Sequence, residues 1–231
     1  PTYPPAALDW LSAAAALRPG GVVADVGSGT GILTALLLAR GATVYAVEPN
    51  AAMRAAAEAA LADQPGFISI DATAEASGLP EASIDLVTAG QAFHWFEAEA
   101  ARAEFQRILR PGGHVALIWN GRDRSAGGFV ADYEALLQEY AGQYQRLRHG
   151  SRMEKITTLF ADGFEMRVFD HARPLDYDAV LGGLLSGSYS PLPGDPRYEP
   201  MVARLEAIFA AHQRDGQVIM PYRTQVYFGR L

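Results

Sequence analysis

The first 120 residues alternate between short apolar runs and segments whose apolar residues recur every three or four positions. Apolar, β-branched runs predict strands at 22–24, 43–47, 67–70, 84–88 and 114–119. Helical periodicity predicts helices at 6–17, 32–37, 51–61 and 96–109. Near-continuous apolar strands that alternate with helices indicate an α/β fold, in which a parallel sheet is doubly wound by right-handed crossovers.

The pattern changes after residue 120. A polar loop is expected at 121–128, and helical apolar stripes follow at 129–140, 153–160 and 202–212, with a weaker helix at 176–185. Alternation predicts a half-buried strand at 164–168 and a last strand at 224–229. The helical stripes favour packing surfaces over ligand-binding segments.

One strand-to-helix turn is rich in glycine, since residues 25–31 read DVGSGTG. Its three glycines permit positive φ and let a ligand approach bare backbone, and the following helix begins with free N–H groups. The next predicted strand ends at Glu48, where a carboxylate can hold ribose hydroxyls. These features favour a nucleoside site over a tight turn that binds nothing.

The spacing of the glycines distinguishes two classes of nucleoside site. Dinucleotide sites favour G-x-G-x-x-G/A, whereas this chain has G-x-G-x-G followed by the bulky Ile32. The turn resembles motif I of the class I S-adenosylmethionine-dependent methyltransferases, and YAVEPN at 45–50 resembles their second motif. TAGQAFHWF at 88–96 and PGGHVALIWN at 111–120 are similar to later blocks of the small-molecule branch, the type 11 domain family.

This resemblance implies a doubly wound, mainly parallel seven-stranded sheet with an antiparallel last strand, in a single domain over 1–231. It implies that 121–160 and 172–222 are insertions that build a small helical lid. It also implies S-adenosylmethionine as cofactor and methyl transfer to a hydroxyl or carboxyl oxygen of a small molecule, with no metal. The alternatives are a nicotinamide-dependent oxidoreductase and a non-catalytic S-adenosylmethionine-binding protein.

The resemblance also assigns the cofactor contacts. Asp25 would lie near the methionyl amine, Glu48 would bind the ribose hydroxyls, and Pro49 and Met53 would flank the adenine. Many relatives carry an aspartate at the position of Thr73. The full cofactor-binding set is Asp25, Gly27, Ser28, Gly29, Gly31, Glu48, Pro49, Met53, Thr73, Ala74, Gly90 and Gln91.

On the acceptor side, His94 is the candidate catalytic residue. Its imidazole could bind or deprotonate an acceptor, or only order the loop. Trp95 is expected to be a pocket wall, Asn120 either orients the acceptor or caps a loop, and Arg223 binds a carboxylate or is solvated. The substrate-side candidates are Tyr3, Trp95, Asn120, Tyr189 and Arg223.

Composition excludes several functions. The 231 residues contain no cysteine, so neither disulfides nor thiolate chemistry is possible. The net charge is −7 and the only lysine is Lys155, without a basic run that would favour nucleic acid. The absence of a bilayer-length apolar run and of a signal peptide predicts a cytoplasmic protein without a membrane partner. The expected oligomeric state is a monomer or a homodimer.

Overall fold

A seven-stranded sheet runs through the computed structural model of the chain, which describes residues 3–14, 17–140, 152–187 and 190–231. The strands are β1 Val22–Val26, β2 Thr43–Val47, β3 Phe67–Ile70, β4 Ile84–Gly90, β5 Leu109–Arg122, β6 Glu165–Leu175 and β7 Val218–Gly229. The helices are α1 Pro5–Ala13, α2 Ile32–Leu38, α3 Ala51–Leu61, α4 Ala98–Ile108, α5 Gly128–Tyr140, α6 Arg152–Leu159, α7 Tyr177–Leu185 and α8 Tyr198–His212, with a 3-10 turn at Phe93–Trp95.

The order of the strands confirms the predicted fold class. It is β3-β2-β1-β4-β5-β7-β6, and the pairs among the first five strands are parallel. The last strands run antiparallel, so the sheet is mixed. Because the chain turns from β3 back to the other side of β1, the topological switch lies between β1 and β4, where such sheets bind ligands at the carboxyl ends of their strands.

Several predicted boundaries were wrong. The strand predicted at 114–119 spans Leu109–Arg122, because Ile84 pairs with Leu109 and Leu86 with His114, which leaves the Pro-Gly-Gly segment between them as a bulge. The final two strands also extend beyond their alternating segments, since backbone pairing rather than side-chain pattern sets their ends. The helix predicted at 96–109 begins at Ala98, after the 3-10 turn.

The chain divides into two compact units. The first consists of the described residues of Pro1–Asn120, Arg152–Phe169 and Thr224–Leu231. Its two apolar clusters contain alternate residues of the strands, such as Val115 and Leu117 in one cluster and Ala116 and Ile118 in the other. Successive side chains of a strand point to opposite faces, so the sheet of this unit is buried on both sides.

The second unit consists of the described residues of Gly121–Ser151 and Asp170–Arg223, and it has a core of its own. Helix α8 packs against α5 and α7 around buried residues such as Leu136 and Leu205. The segment 152–160, which the sequence grouped with the lid, belongs to the first unit instead. A lid function for 121–160 and 172–222 stays a prediction.

Candidate functional site

A cavity of about 560 Å³ lies in the first unit at the carboxyl ends of β1, β2 and β4. Most of the predicted cofactor-binding residues line it, because each lies at the carboxyl end of one of these parallel strands or in the segment that follows it. Taken together, the cofactor-side and acceptor-side predictions that line the cavity are Tyr3, Asp25, Gly27, Ser28, Gly29, Glu48, Pro49, Met53, Gly90, Gln91 and Trp95.

The glycine turn between β1 and α2 is held in a left-handed backbone conformation. The φ angles of Gly27 and Gly29 are 66° and 58°. The N–H of Gly27 donates to the carbonyl oxygen of Val47 at 2.8 Å, which joins the turn to the end of β2. A β-carbon at Gly27 would lie 2.5 Å from Cβ of Ala92, whereas one at Gly29 would meet nothing within 4 Å. Glycine is therefore required at Gly27 by both conformation and space.

Glu48 is a buried carboxylate that connects the two loops at the cavity. Its Oε2 accepts a hydrogen bond from the N–H of Gly29 at 2.9 Å, and its Oε1 accepts one from the N–H of Asn50 at 2.8 Å. The Asn50 side chain in turn caps α3, because its Oδ1 accepts from the N–H groups of Ala52 and Met53. Each carboxylate oxygen has lone pairs beyond the one used, so the group can accept two further hydrogen bonds from a ligand.

Asp25 lines the cavity and is 1% exposed. Thr34 Oγ1 donates to its Oδ2 at 2.6 Å, and Thr88 Oγ1 donates to its Oδ1 at 2.9 Å. Burial raises the pKa of the Asp25 carboxyl to about 6, although the two threonine hydrogen bonds favour the ionised form. A cationic group in the cavity would stabilise the carboxylate and lower this pKa.

Tyr3 and Gly90 meet at the wall of the cavity. A β-carbon at Gly90 would lie 2.6 Å from the Tyr3 hydroxyl oxygen, so the tyrosine occupies the space that a larger residue would need. Burial raises the pKa of Tyr3, and the charge of Asp25 acts in the same direction. Tyr3 is thus a buried part of the cavity wall.

Gln91 fixes the direction in which the chain leaves β4. It is a non-glycine residue with a positive φ of 59°. Its Nε2 donates to the carbonyl oxygen of Asn120 at 2.8 Å, and its backbone N–H donates to the carbonyl oxygen of Ile118 at 2.9 Å. These bonds hold a conformation that residues other than glycine rarely adopt.

His94 and Trp95 lie in the 3-10 turn that follows. Trp95 lines the cavity but is 80% exposed, and its ring centroid lies 4.9 Å from that of His94. His94 itself is exposed and does not line the cavity. Desolvation lowers the pKa of its imidazole, and the nearby charges of Lys155 and Arg152 lower it further.

Three cofactor candidates lie outside the cavity lining. Gly31 has a φ of 82°, and a β-carbon there would lie 2.8 Å from Cδ1 of Leu61, so this glycine lies at the packing contact between α2 and α3. Thr73 forms an isolated antiparallel bridge with Ala76 after β3. The side chain of Ala74 is buried in the apolar core.

The remaining substrate candidates do not line the cavity either. Asn120 is buried, and its Oδ1 accepts from the Thr224 hydroxyl at 3.0 Å. Arg223 belongs to the second unit, where its Nε donates to Asp170 Oδ1 at 3.2 Å. Tyr189 lies outside the described residues.

Sequence reasoning missed six lining residues: Thr30, Ile32, Leu33, Asn50, Ala92 and Phe96. Asn50 carried a signal, because it follows the predicted strand acid and caps a helix. Ile32 carried one as well, because it directly follows the last glycine. Thr30 lies within the glycine turn itself, and the other three are apolar residues that the tertiary arrangement brings to the cavity.

Two negative findings apply to the described part of the chain. It contains no group of three or more histidine, aspartate or glutamate side chains that could hold a metal ion. No helix within it has the length and apolar character needed to cross a bilayer.

Comparisons with known proteins show what this chain is similar to. Residues 24–117 match a family model described as a methyltransferase domain. An uncharacterized methyltransferase of Mycobacterium tuberculosis is 45% identical over 127 residues, which are 55% of this chain and 49% of that protein. One of Schizosaccharomyces pombe is 35% identical over 146 residues, which are 62% and 55% of the two chains. The chain thus spans about half the length of the curated relatives it matches.

Solved structures show the same fold. A candidate type II methyltransferase of Anaeromyxobacter dehalogenans has a TM-score of 0.73 and 23% identity, with 100% of this chain and 97% of that chain covered. A candidate methyltransferase from an antibiotic biosynthesis pathway of Anabaena variabilis has a TM-score of 0.62 and 24% identity over 95% and 96%. Residues 24–117 therefore match a methyltransferase domain, and these two solved structures share the fold of the chain.

Proposed function

We propose that this chain binds S-adenosylmethionine in the 560 Å³ cavity and transfers its methyl group to a small-molecule acceptor. The observation that carries the proposal is the Glu48 carboxylate, which lies between the glycine turn and the cap of α3 with unused acceptor capacity on both oxygens. Two adjacent ribose hydroxyls can each donate a hydrogen bond to one of the two carboxylate oxygens. The bare backbone at Gly29 leaves room for a ligand beside them.

S-adenosylmethionine supplies a methyl group on a positively charged sulfonium, which is already a good leaving group. The residues of the chain therefore have to bind the cofactor, align the acceptor with its methyl group and exclude water. Asp25 would orient the methionyl amine, and Pro49 and Met53 would flank the adenine. Trp95 would form a wall for the acceptor.

The proposed acceptor atom is an oxygen of a hydroxyl or carboxyl group. His94 could accept the proton of a hydroxyl, since its lowered pKa keeps the imidazole neutral at pH 7. A net charge of −7 disfavours a nucleic-acid acceptor, because affinity for nucleic acids comes mainly from clustered positive charge. A cytoplasmic location and a monomeric or homodimeric state belong to the same proposal.

The second candidate, a nicotinamide-dependent oxidoreductase, is less compatible with the turn. A dinucleotide site needs a small third residue where the helix approaches the pyrophosphate. Here Ile32 lines the cavity directly after Gly31. A non-catalytic role as an S-adenosylmethionine-binding protein would use the same cavity without turnover.

Titration calorimetry against S-adenosylmethionine, S-adenosylhomocysteine, NAD and NADP tests the proposal. We expect the two adenosyl ligands to bind and the two dinucleotides not to bind. Release of S-adenosylhomocysteine in the presence of a small acceptor would then exclude the non-catalytic alternative. Failure of both adenosyl ligands to bind would refute the proposal.

The pKa of Asp25 predicts how cofactor affinity depends on pH. A carboxyl with a pKa of about 6 is about nine-tenths protonated at pH 5, and only its ionised form attracts an ammonium group. The affinity for S-adenosylmethionine should therefore fall about 10-fold between pH 7 and pH 5. Calorimetry at a series of pH values would measure this change, together with the proton released on binding near pH 6.

The control for this prediction is methylthioadenosine, which has the same nucleoside but lacks the methionyl amine. Its affinity should change much less over the same range, because Glu48 contacts both ligands alike. Asp25→Asn should remove the difference between the two ligands. Parallel pH profiles in the unsubstituted protein would show that Asp25 does not bind the amine.

A further inference from the structure

A pair of cations on α6 lies beside the loop that follows β4. The Lys155 ammonium donates to the carbonyl oxygens of His94 at 3.1 Å and of Phe96 at 2.7 Å. An ammonium group has three N–H donors, so one remains after these two bonds. The loop that Lys155 holds includes Trp95 and Phe96, which line the cavity.

Arg152 lies one helical turn before Lys155. Its guanidinium carbon lies 5.2 Å from the centroid of the Trp119 ring, a cation–π contact that leaves the N–H groups at the edge of the guanidinium free to donate. Burial lowers the pKa of the His94 imidazole, and the charges of Lys155 and Arg152 lower it further. All of these residues belong to the first unit.

Neither cation has an acidic partner among the described residues. Arg54, Arg107 and Arg110 of the same unit each lie within 3 Å of a carboxylate oxygen. No such carboxylate lies within 4 Å of the nitrogens of Arg152 or Lys155 in the part of the chain that the structure describes. In a protein with a net charge of −7, two adjacent cations without a carboxylate partner form a local site of positive potential.

Trp95 adds an apolar surface to this site. Its indole is 80% exposed while it lines the cavity, although a large aromatic ring is usually buried by its own protein. A flat or apolar ligand placed against the indole would remove that surface from water. The ligand's charged end would then be close to the α6 cations.

We infer that Arg152, Lys155 and Trp95 form an oxyanion subsite beside the cavity, and that the methyl acceptor carries a carboxylate or phosphate on an apolar body. This inference rests on the proposed function, because it names the chemistry of the acceptor for that same site. A purely structural role explains the carbonyl contacts of Lys155. It does not explain why the guanidinium of Arg152 has no carboxylate partner among the described residues, or why the indole of Trp95 is exposed.

The test compares three probes that share a phenyl group: 3-phenylpropanoate, phenyl phosphate and 3-phenylpropanamide. Calorimetry or ligand-observed NMR measures their binding to the full chain, with and without S-adenosylhomocysteine. We expect at least one of the two anions to bind about 10-fold or more tightly than the neutral amide, as one charge-assisted hydrogen bond would give. The preferred anion distinguishes a carboxylate acceptor from a phosphate acceptor.

Variants of Arg152 test whether this residue causes the preference for an anion over the amide. Arg152→Glu should abolish it and Arg152→Gln should reduce it, while thermal denaturation verifies that both variants are folded. Arg214→Glu is the matched control, because Arg214 is also exposed and lies in the second unit. This control should retain the full preference for the anion.

Two results would overturn the inference. One is equal binding of the amide and both anions, and the other is an anion preference that persists in folded Arg152→Glu. Failure of both S-adenosylmethionine and S-adenosylhomocysteine to bind would instead refute the proposed function, and the measurements made without either ligand would still decide the anion preference. The two failures are therefore distinguishable.

Discussion

Replacement of Glu48 by alanine should weaken S-adenosylmethionine binding by about 100-fold or more. The substitution would remove the two charge-assisted hydrogen bonds to the ribose that the proposed function assigns to this carboxylate, each worth about 1.5–3 kcal/mol. It also leaves the N–H groups of Gly29 and Asn50 without the acceptor that both now share. Calorimetry at pH 7 would give the dissociation constants of the variant and the unsubstituted protein.

Two further variants make this test specific. Glu48→Gln keeps one acceptor oxygen and should lose roughly 10-fold in affinity, less than the alanine variant. Glu58→Ala removes the same charge from an exposed position on α3 that does not line the cavity, and its affinity should stay within about twofold. A Glu48→Ala protein that binds as tightly as Glu58→Ala would contradict the assigned role.

Gly27→Ala should destabilise the protein by about 3 kcal/mol. A left-handed φ of 66° costs a residue with a β-carbon about 1–2 kcal/mol, and the new methyl would lie 2.5 Å from Cβ of Ala92. Overpacking of this kind costs about 1–3 kcal/mol in addition. The free energy of unfolding in urea would measure the loss.

Gly29→Ala is the matched comparison for this prediction. Its φ of 58° gives a similar conformational cost, but its β-carbon would meet nothing within 4 Å. It should therefore lose only about 1–2 kcal/mol. Equal losses in the two variants would show that contact with Ala92 is relieved by movement of the loop.

The parts of the site that the sequence predicted are those built by neighbouring parallel strands. Asp25 pairs with Ala46 and Val26 with Val47, so the glycine turn after β1 and the acid after β2 must emerge side by side. A local motif on each strand was then sufficient to infer the contact. The same reasoning extends to Gly90, which ends β4 on the other side of β1.

The parts that sequence reasoning did not predict depend on contacts between distant segments. Nothing in the pattern near Tyr3 indicates that its hydroxyl lies against Gly90. Asn120 is a strand-end polar residue by sequence, yet its side chain is used by Thr224. The bulge after Leu109 is set by pairing with β4, which a search for apolar alternation does not detect.

The single lysine of this chain has a practical consequence. Its ammonium holds the loop around Trp95 through two carbonyl oxygens, and no other side chain carries a primary amine. Acylation by an amine-reactive dye or coupling surface would neutralise that group and replace both contacts with a bulky amide. Sensor experiments should therefore attach the protein through a terminal tag rather than by amine coupling.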